Sequence, residues 1–215
     1  MEIKAGIFDL DGTLIDSIND IAYAMNYALS SNGLPTHEAS AYNYFAGDGV
    51  HNLTNRVMPP GSSLELIEKV KAEYIAYYSA NSSNRTKPYD GVIEMLRAFN
   101  EKNLPIAVLS NKSHLNTNFV VAHYFPGITF AAVVGAREGI PIKPDPTGAL
   151  EIAKVIQIEP ENILYLGDTS TDMQTAVNAN MIAAGALWGF RKADELTRFG
   201  AKFLVEKPID VLKLL

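Results

Sequence analysis

The chain has 215 residues, 47% of them apolar and 20% charged, with 24 acidic side chains against 18 basic ones and a formal charge of −6. That length supports one substantial core with a modest appendage, and the acidic balance disfavours broad attraction to nucleic acid or anionic lipid. The chain has no cysteine, which excludes a disulfide framework, a thiolate nucleophile and a zinc–cysteine site.

From Ile3 to Phe8 the residues are apolar apart from Lys4, and the Asp-Leu-Asp-Gly that follows ends the run, so a short buried strand is predicted to stop near Asp9. From Ile18 onward, Ile21, Ala22, Met25 and Leu29 recur at helical spacing before the stop signals of Ser30 to Pro35. Tyr44 to Ser63 reads as loop because it holds Gly47, Gly49, Pro59, Pro60 and Gly61, with Tyr42, Tyr44 and Phe45 taken as packing residues. A helix is predicted from Leu64 to Tyr78, and the polar Asn81 to Pro88 segment reads as a linker. The rhythm then alternates. Helices are expected around Val92 to Asn100, Leu115 to His123, Thr147 to Ile156 and through Met173, Ala176 and Val177. Strands are expected at Leu104 to Leu109, Ala131 to Val134 and Ile163 to Leu166, with Met181 to Ala184 and Phe203 to Val205 as final candidates.

Repeated helix–strand units predict an α/β fold with an open, mainly parallel sheet covered by helices on both faces. The helical block departs early and returns late, as an inserted cap would, which divides the chain into a core of residues 1–15 and 88–215 and a cap of residues 16–87. Ligands of such sheets sit beyond the carboxyl ends of the strands. Asp9, Ser110 and Asp168 each follow a predicted strand, so three distant segments could meet at one sheet edge.

In Asp9-Leu10-Asp11-Gly12-Thr13-Leu14, the two carboxylates stand two residues apart and in extended geometry face one side, and Gly12 permits a tight turn afterwards. The same residues also suit an ordinary turn. Leu166-Gly167-Asp168-Thr169-Ser170-Thr171-Asp172 again follows a strand, and its acids could simply cap a helix. Together the two segments offer four carboxylates with no neighbouring histidine or cysteine, a donor set that suits Mg²⁺ and not zinc. Ser110 can donate its hydroxyl to a phosphoryl oxygen, Asn111 can add amide contacts, and Lys143 in Ile142-Lys143-Pro144-Asp145-Pro146 can neutralise negative charge.

These residues resemble the haloacid dehalogenase-like hydrolase superfamily over nearly the whole chain. Asp9 and Asp11 match its opening Asp-x-Asp-Gly-Thr motif, Ser110 its second, Lys143 its third, and Gly167-Asp168 with Asp172 its acidic fourth. Within it, the stretches Asp9 to Ser17, Lys143 to Pro146 and Gly167 to Met173 look most like the phosphoglycolate phosphatase group. Two positions depart from that group's habit: Asn178-Ala179-Asn180-Met181 replaces a frequent Ala-Gly pair, and Ser110 stands where many members have Thr. Neither removes a functional group.

The resemblance implies a Rossmann-like three-layer core with a small α-helical cap, and an Mg²⁺-dependent phosphatase. Asp9 would be the nucleophile that forms an aspartyl-phosphate, Asp11 the acid and base, and Ser110 and Lys143 the stabilisers of phosphoryl oxygens. The metal would be held by Asp9, Asp168, the Asp11 backbone carbonyl and Asp172, the last directly or through water. Gly12, Thr13 and Asn111 are expected beside the substrate, as are Gly49 and Arg56 of the cap loop, where His51 is ambiguous. The expected ligand is a small phosphorylated metabolite such as phosphoglycolate, handled by a monomer or homodimer. A phosphosugar mutase of the same fold and a non-catalytic phosphate-binding protein are the alternatives; release of free phosphate separates them. No run approaches the roughly 18 to 20 apolar residues of a membrane span, and the opening Met1-Glu2-Ile3-Lys4 leaves no room for a secretory signal. A cytoplasmic protein bound neither to membrane nor to nucleic acid is therefore expected.

Overall fold

The computed structural model describes residues 2–215. Six parallel strands form the central sheet: β1 (Ala5–Phe8), β4 (Ile106–Ser113), β5 (Ala132–Ala136), β6 (Ile163–Gly167), β7 (Ile182–Ala186) and β8 (Phe203–Val205). Their spatial order is β5-β4-β1-β6-β7-β8. The chain therefore moves outward from β1 on one side, then returns to β1 and builds the other side, so the winding direction reverses around β1. A crevice forms at such a reversal, beyond the carboxyl ends of the strands.

Side chains alternate between the two sheet faces with the strand period of two. Phe8, Ile106, Val108, Leu164, Leu166, Ile182 and Ala184 belong to one buried cluster, and Ile7, Ala107, Leu109, Ile163, Tyr165 and Ala183 to the other. The first face is covered by α5 (Val92–Glu101) through Met95, Leu96 and Phe99, by α6 (His114–Tyr124) through Val120 and Val121, and by the C-terminal 3-10 turn through Val211. The second is covered by α7 (Thr147–Ile156), α8 (Ser170–Asn178) and α9 (Ala193–Arg198) through Ile152, Met173, Ala176 and Leu196. Both faces of the inner strands are thus dry, which is why these strands read as nearly unbroken apolar runs. The layer order is helix, sheet, helix.

The chain divides into two compact units, one that runs to Ile15 and resumes as Pro88–Leu215, and one spanning Asp16–Lys87. The second unit is helical, with α1 (Ile18–Ser31), α2 (Tyr42–Phe45), α3 (Val50–Val57) and α4 (Leu64–Asn81). The connecting stretches, β2 (Ile15–Asp16) and β3 (Lys87–Pro88), pair as a separate two-stranded sheet. Inside the insert, Asp20 is buried near the start of α1, and its Oδ2 accepts bonds from the Arg85 and Thr86 backbone N–H groups and the Thr86 hydroxyl, at 2.9, 2.8 and 2.8 Å. This carboxylate ties the departing and returning ends of the insert together.

The structure departs from the sequence reading in several places, among them the unforeseen β2, β3 and α9. The tract Tyr44 to Ser63 is not simply loop: it holds α3, which buries Leu53, Thr54 and Val57, because its glycines and prolines punctuate the two ends of a short helix and leave its interior free of breakers. Tyr44 is 54% exposed and does not pack inside, unlike Tyr42, which is fully buried. Strand β4 continues to Ser113, past the expected end at Leu109. No helix among the described residues is long and apolar enough to cross a membrane.

Candidate active site

Backbone pairing delivers the acidic residues to one edge. β1 lies between β4 and β6, with Phe8 beside Val108 on one flank and Leu166 on the other. The next residue on β1 is Asp9, whose N–H bonds the Leu166 carbonyl at 2.9 Å, so Asp9 and Asp168 leave adjacent strand ends. Asp172 comes from the first turn of α8, where it forms a capping box with Thr169. That reciprocal pairing stabilises the helix start and fixes the carboxylate direction. One carboxylate oxygen from each of Asp9, Asp168 and Asp172 lies within 4.8 Å of the other two, and all three residues are buried.

Lys143 completes the cluster. Its ammonium donates to Asp9 Oδ1 at 2.6 Å and to Asp172 Oδ1 at 2.7 Å, and only 3% of the residue is exposed. Asn111 holds the Lys143 backbone from both sides: its Nδ2 donates to the Lys143 carbonyl at 3.1 Å and its Oδ1 accepts the Lys143 N–H at 2.9 Å. The loop that carries the cation is therefore tethered to the end of β4. Ser110 is buried on that same strand end, with its Oγ accepting the Lys112 N–H at 3.2 Å.

Asp168 is set by contacts from two further segments. Thr13 donates its hydroxyl to Asp168 Oδ1 at 2.9 Å, and the Phe190 N–H reaches Oδ2 at 2.7 Å. Gly12 has φ +89, and a Cβ there would lie 2.2 Å from Asp168 Oδ2. Gly189 leaves as little space, since its Cβ would meet the Asp168 Cβ at 2.3 Å. Both glycines are required by the close approach of backbone to the carboxylate. Trp188 donates its indole N–H to the Thr13 carbonyl at 2.9 Å, which locks the two segments together. The stretch Trp188-Gly189-Phe190 carries no acidic or basic group, and its compact Gly between two aromatics was the only sequence signal that it approaches another chain segment.

The residues expected to act together thus meet only in part. Asp9, Lys143, Asp168 and Asp172 form one buried cluster. Thr13 and Gly12 adjoin it through Asp168, and Asn111 through Lys143. Asp11 points its carboxylate to the Lys112 ammonium at 2.8 Å. Gly49, with φ +91, begins α3 in the helical insert, and Arg56 there donates to both oxygens of Asp48 and to the Phe45 carbonyl. His51 contacts Asn55 on the same helix.

Electrostatics suit the cluster to holding a cation. Burial and then the nearby Asp172 push the Asp168 carboxyl up to about 7, although the Phe190 and Thr13 bonds pull the other way. Asp9 is pushed well above the usual carboxylate range by burial first and by Asp172 next, with Lys143 opposing. Burial on its own would lower Lys143, but Asp172 and Asp9 outweigh it and hold the ammonium protonated. One ammonium thus faces three carboxylates out of water. Such an excess of negative charge is relieved by protonation or by a further cation. The donors are all carboxylate oxygens, the ligand type preferred by hard divalent ions.

Known proteins resemble this chain in sequence and in fold. The haloacid dehalogenase-like hydrolase family matches residues 6–186. A phosphoglycolate phosphatase of Aquifex aeolicus is 32% identical over 210 residues, covering 97% of this chain and 95% of that protein. One from Thiobacillus denitrificans is 29% identical over 206 residues, 92% of this chain and 88% of its own length. A crystal structure from Lactobacillus delbrueckii subsp. bulgaricus has a TM-score of 0.94 at 28% identity, covering 100% of this chain and 98% of that one. The crystal structure of a predicted phosphoglycolate phosphatase from Haemophilus somnus gives 0.91 at 25% identity with the same coverage. With the carboxylate cluster at the winding reversal of a parallel sheet and this match across most of its length, the chain belongs to the haloacid dehalogenase-like hydrolase family, within its phosphoglycolate-phosphatase-like subgroup, and is a phosphoric monoester hydrolase.

Proposed function

We propose that this phosphatase is Mg²⁺-dependent and hydrolyses a small phosphomonoester, phosphoglycolate in the first instance, through an aspartyl-phosphate on Asp9. The observation that supports this reading best is the convergence of one oxygen each from Asp9, Asp168 and Asp172 within 4.8 Å beside the Lys143 ammonium. Asp9, Asp168 and the Asp11 backbone carbonyl would hold the ion, with Asp172 contributing directly or through water. When bound, Mg²⁺ supplies the positive charge that lets an anionic nucleophile and an anionic phosphoryl group coexist.

Asp9 attacks phosphorus with one carboxylate oxygen, and the phosphorus–ester oxygen bond breaks with its electron pair going to the alcohol. Asp11 gives that oxygen its proton and in the second half takes one from the water that cleaves the acyl phosphate. Lys143 already bonds the oxygen Oδ1 of Asp9, so it holds the nucleophile in one orientation and keeps positive charge near the transferring group. Ser110 turns its hydroxyl to a phosphoryl oxygen as charge redistributes. Burial of Asp9, Ser110 and Lys143 excludes bulk water and strengthens their interactions.

The test has two parts. Phosphate release is measured over a panel of metabolite esters with Mg²⁺ and with chelator, and radiolabelled protein is trapped by acid quench. Release is expected to need the metal and to be fastest for phosphoglycolate, and Asp9→Asn is expected to give no labelled protein and at least a 10³-fold lower kcat. Labelling of Asp9→Asn at the level of the unaltered protein, or no metal-dependent release from any ester, defeats the reading.

A further inference from the structure

Strand β4 carries a second, largely covered ammonium that the chemistry above leaves unused. Leu109 pairs with Val134 and Ser113 with Ala136, so four steps along β4 match two along β5 and the ladder shifts register between them. A bulge of this kind bends the strand and re-aims its side chains. Here it displays Ser110, Asn111 and Lys112 in succession at the site end of the sheet. Each is fixed by its own bonds: Asn111 to the Lys143 backbone, and Lys112 through its N–H to Ser110 Oγ and its carbonyl to the Thr117 hydroxyl at 3.2 Å. The Lys112 ammonium lies 2.8 Å from Asp11 Oδ2, and the two side chains are only 7% and 16% exposed.

The two lysines of the site divide its space. Lys143 bonds Asp9 and Asp172 and so stands at the phosphoryl side. Lys112 bonds Asp11, the residue that must reach the departing alcohol oxygen. Two hydrogen bonds in series put the Lys112 nitrogen within roughly 5 Å of that oxygen. In the ester of a 2-hydroxy acid, the carboxylate oxygens lie about 3 Å from the ester oxygen. A carboxylate there falls within reach of Lys112, whereas a neutral alcohol offers the ammonium no opposite charge. Resting on the phosphatase reading above, the geometry points to Lys112 as the residue that determines specificity, selecting phosphate esters whose leaving alcohol bears a carboxylate next to the ester carbon.

A charge-assisted bond in a site closed to water discriminates by about 10- to 100-fold. With the Mg²⁺-loaded full chain, kcat/KM is compared for phosphoglycolate and for 2-hydroxyethyl phosphate, a neutral ester of similar size. The unaltered protein is expected to prefer phosphoglycolate. K112M is expected to lower kcat/KM for phosphoglycolate about 10- to 100-fold more than for the neutral ester, and K112R to keep part of the preference. An equal fall for both esters makes Lys112 a mere support for Asp11 and overturns the assignment. So does a preference that survives K112M. If K112M does not fold by circular dichroism, the unaltered protein still decides: a ratio of phosphoglycolate to neutral ester at or below one overturns the proposal. If the unaltered protein turns over neither ester with Mg²⁺ but releases phosphate from other esters of the panel, this inference is overturned and the phosphatase reading stands; only the absence of metal-dependent release from every ester overturns both.

Discussion

Two buried aspartates, one in each unit of the chain, show how differently the same side chain can be used. Asp20 in the helical insert is 3% exposed and Asp168 in the core fully buried. Asp20 faces donors: two backbone N–H groups and a hydroxyl on Oδ2, with the Arg85 guanidinium 3.6 Å from Oδ1. Asp168 also receives two bonds, from Thr13 and Phe190, but its other neighbours are the carboxylates of Asp9 and Asp172. A buried carboxylate with three donors on one oxygen and a guanidinium 3.6 Å from the other ties chain segments together, whereas a cluster of carboxylates that face one another costs stability that a cation would relieve. Strain of the second kind, left in place by the fold, marks a site that binds something.

The contrast is broken most severely by Lys143→Met. That change removes the single ammonium shared by Asp9 and Asp172 and leaves the carboxylates facing one another. Activity is expected to fall at least 10³-fold, and the metal-free fold to lose about 3–5 kcal/mol. Addition of Mg²⁺ should restore part of the melting temperature and none of the lost turnover rate. If melting is unaltered without metal, the ammonium does not neutralise the cluster.

Titration of Asp168 sharpens the contrast next. In the unfolded chain this group ionises near 3.8, whereas the metal-free fold keeps it protonated up to about 7, chiefly through burial and then Asp172. Below pH 3.8 both states hold the proton and the shift has no effect on stability. As pH rises from there the unfolded chain releases a proton that the fold retains, so stability is lost progressively and the loss is complete above about pH 7. Three pH units correspond to a loss of at most about 4 kcal/mol. Thermal melts of the metal-free protein from pH 4 to pH 8 should therefore fall more steeply than those of Asp168→Asn, and saturating Mg²⁺ should flatten the difference, because the ion binds the ionised form. Parallel curves for the two proteins would show that Asp168 ionises normally.

What the sequence disclosed follows the range of the forces involved. The apolar runs of β1, β4 and β6 each end at a residue of the site, and Asp9, Ser110 and Asp168 could be placed by that local pattern alone. Thr147–Ile156 likewise emerged as α7 at its expected bounds because its apolar spacing is undisturbed. The bulge in β4 was hidden, since nothing between Leu109 and Ser113 distinguishes a strand that bends from one that stops; the expected strand ended early and Lys112 received no role. Trp188, Gly189 and Phe190 offer little more than a small residue between two aromatics. Their contacts with Thr13 and Asp168 join positions 175 and 22 residues apart in sequence, and a backbone N–H that meets a distant carboxylate leaves no trace in residue type. In the insert, Gly47, Gly49, Pro59 and Pro60 obscured α3 because breakers at the two ends of a short helix look like a continuous loop.

The smallest expected effect belongs to Asp20→Ala, which separates the two uses of a buried carboxylate. Removal of Asp20 strips the acceptor from the Arg85 and Thr86 N–H groups and from the Thr86 hydroxyl, at the point where the insert returns. Buried donors left without an acceptor, partly compensated by entering water, cost about 2–3 kcal/mol in total. Melting should drop accordingly. Metal binding should not follow it, because the partners of Asp20 are Arg85 and Thr86 within the insert. Trp188, the chain's one tryptophan, bonds the Thr13 carbonyl beside that cluster, so its fluorescence can report a Mg²⁺ titration in the same variant. A midpoint within about twofold of the unaltered protein, together with lowered melting, is expected if Asp20 only ties the ends of the insert. A tenfold weaker midpoint would mean that the order of the insert's ends is transmitted to the acidic cluster, and that the two aspartates belong to one cooperative unit.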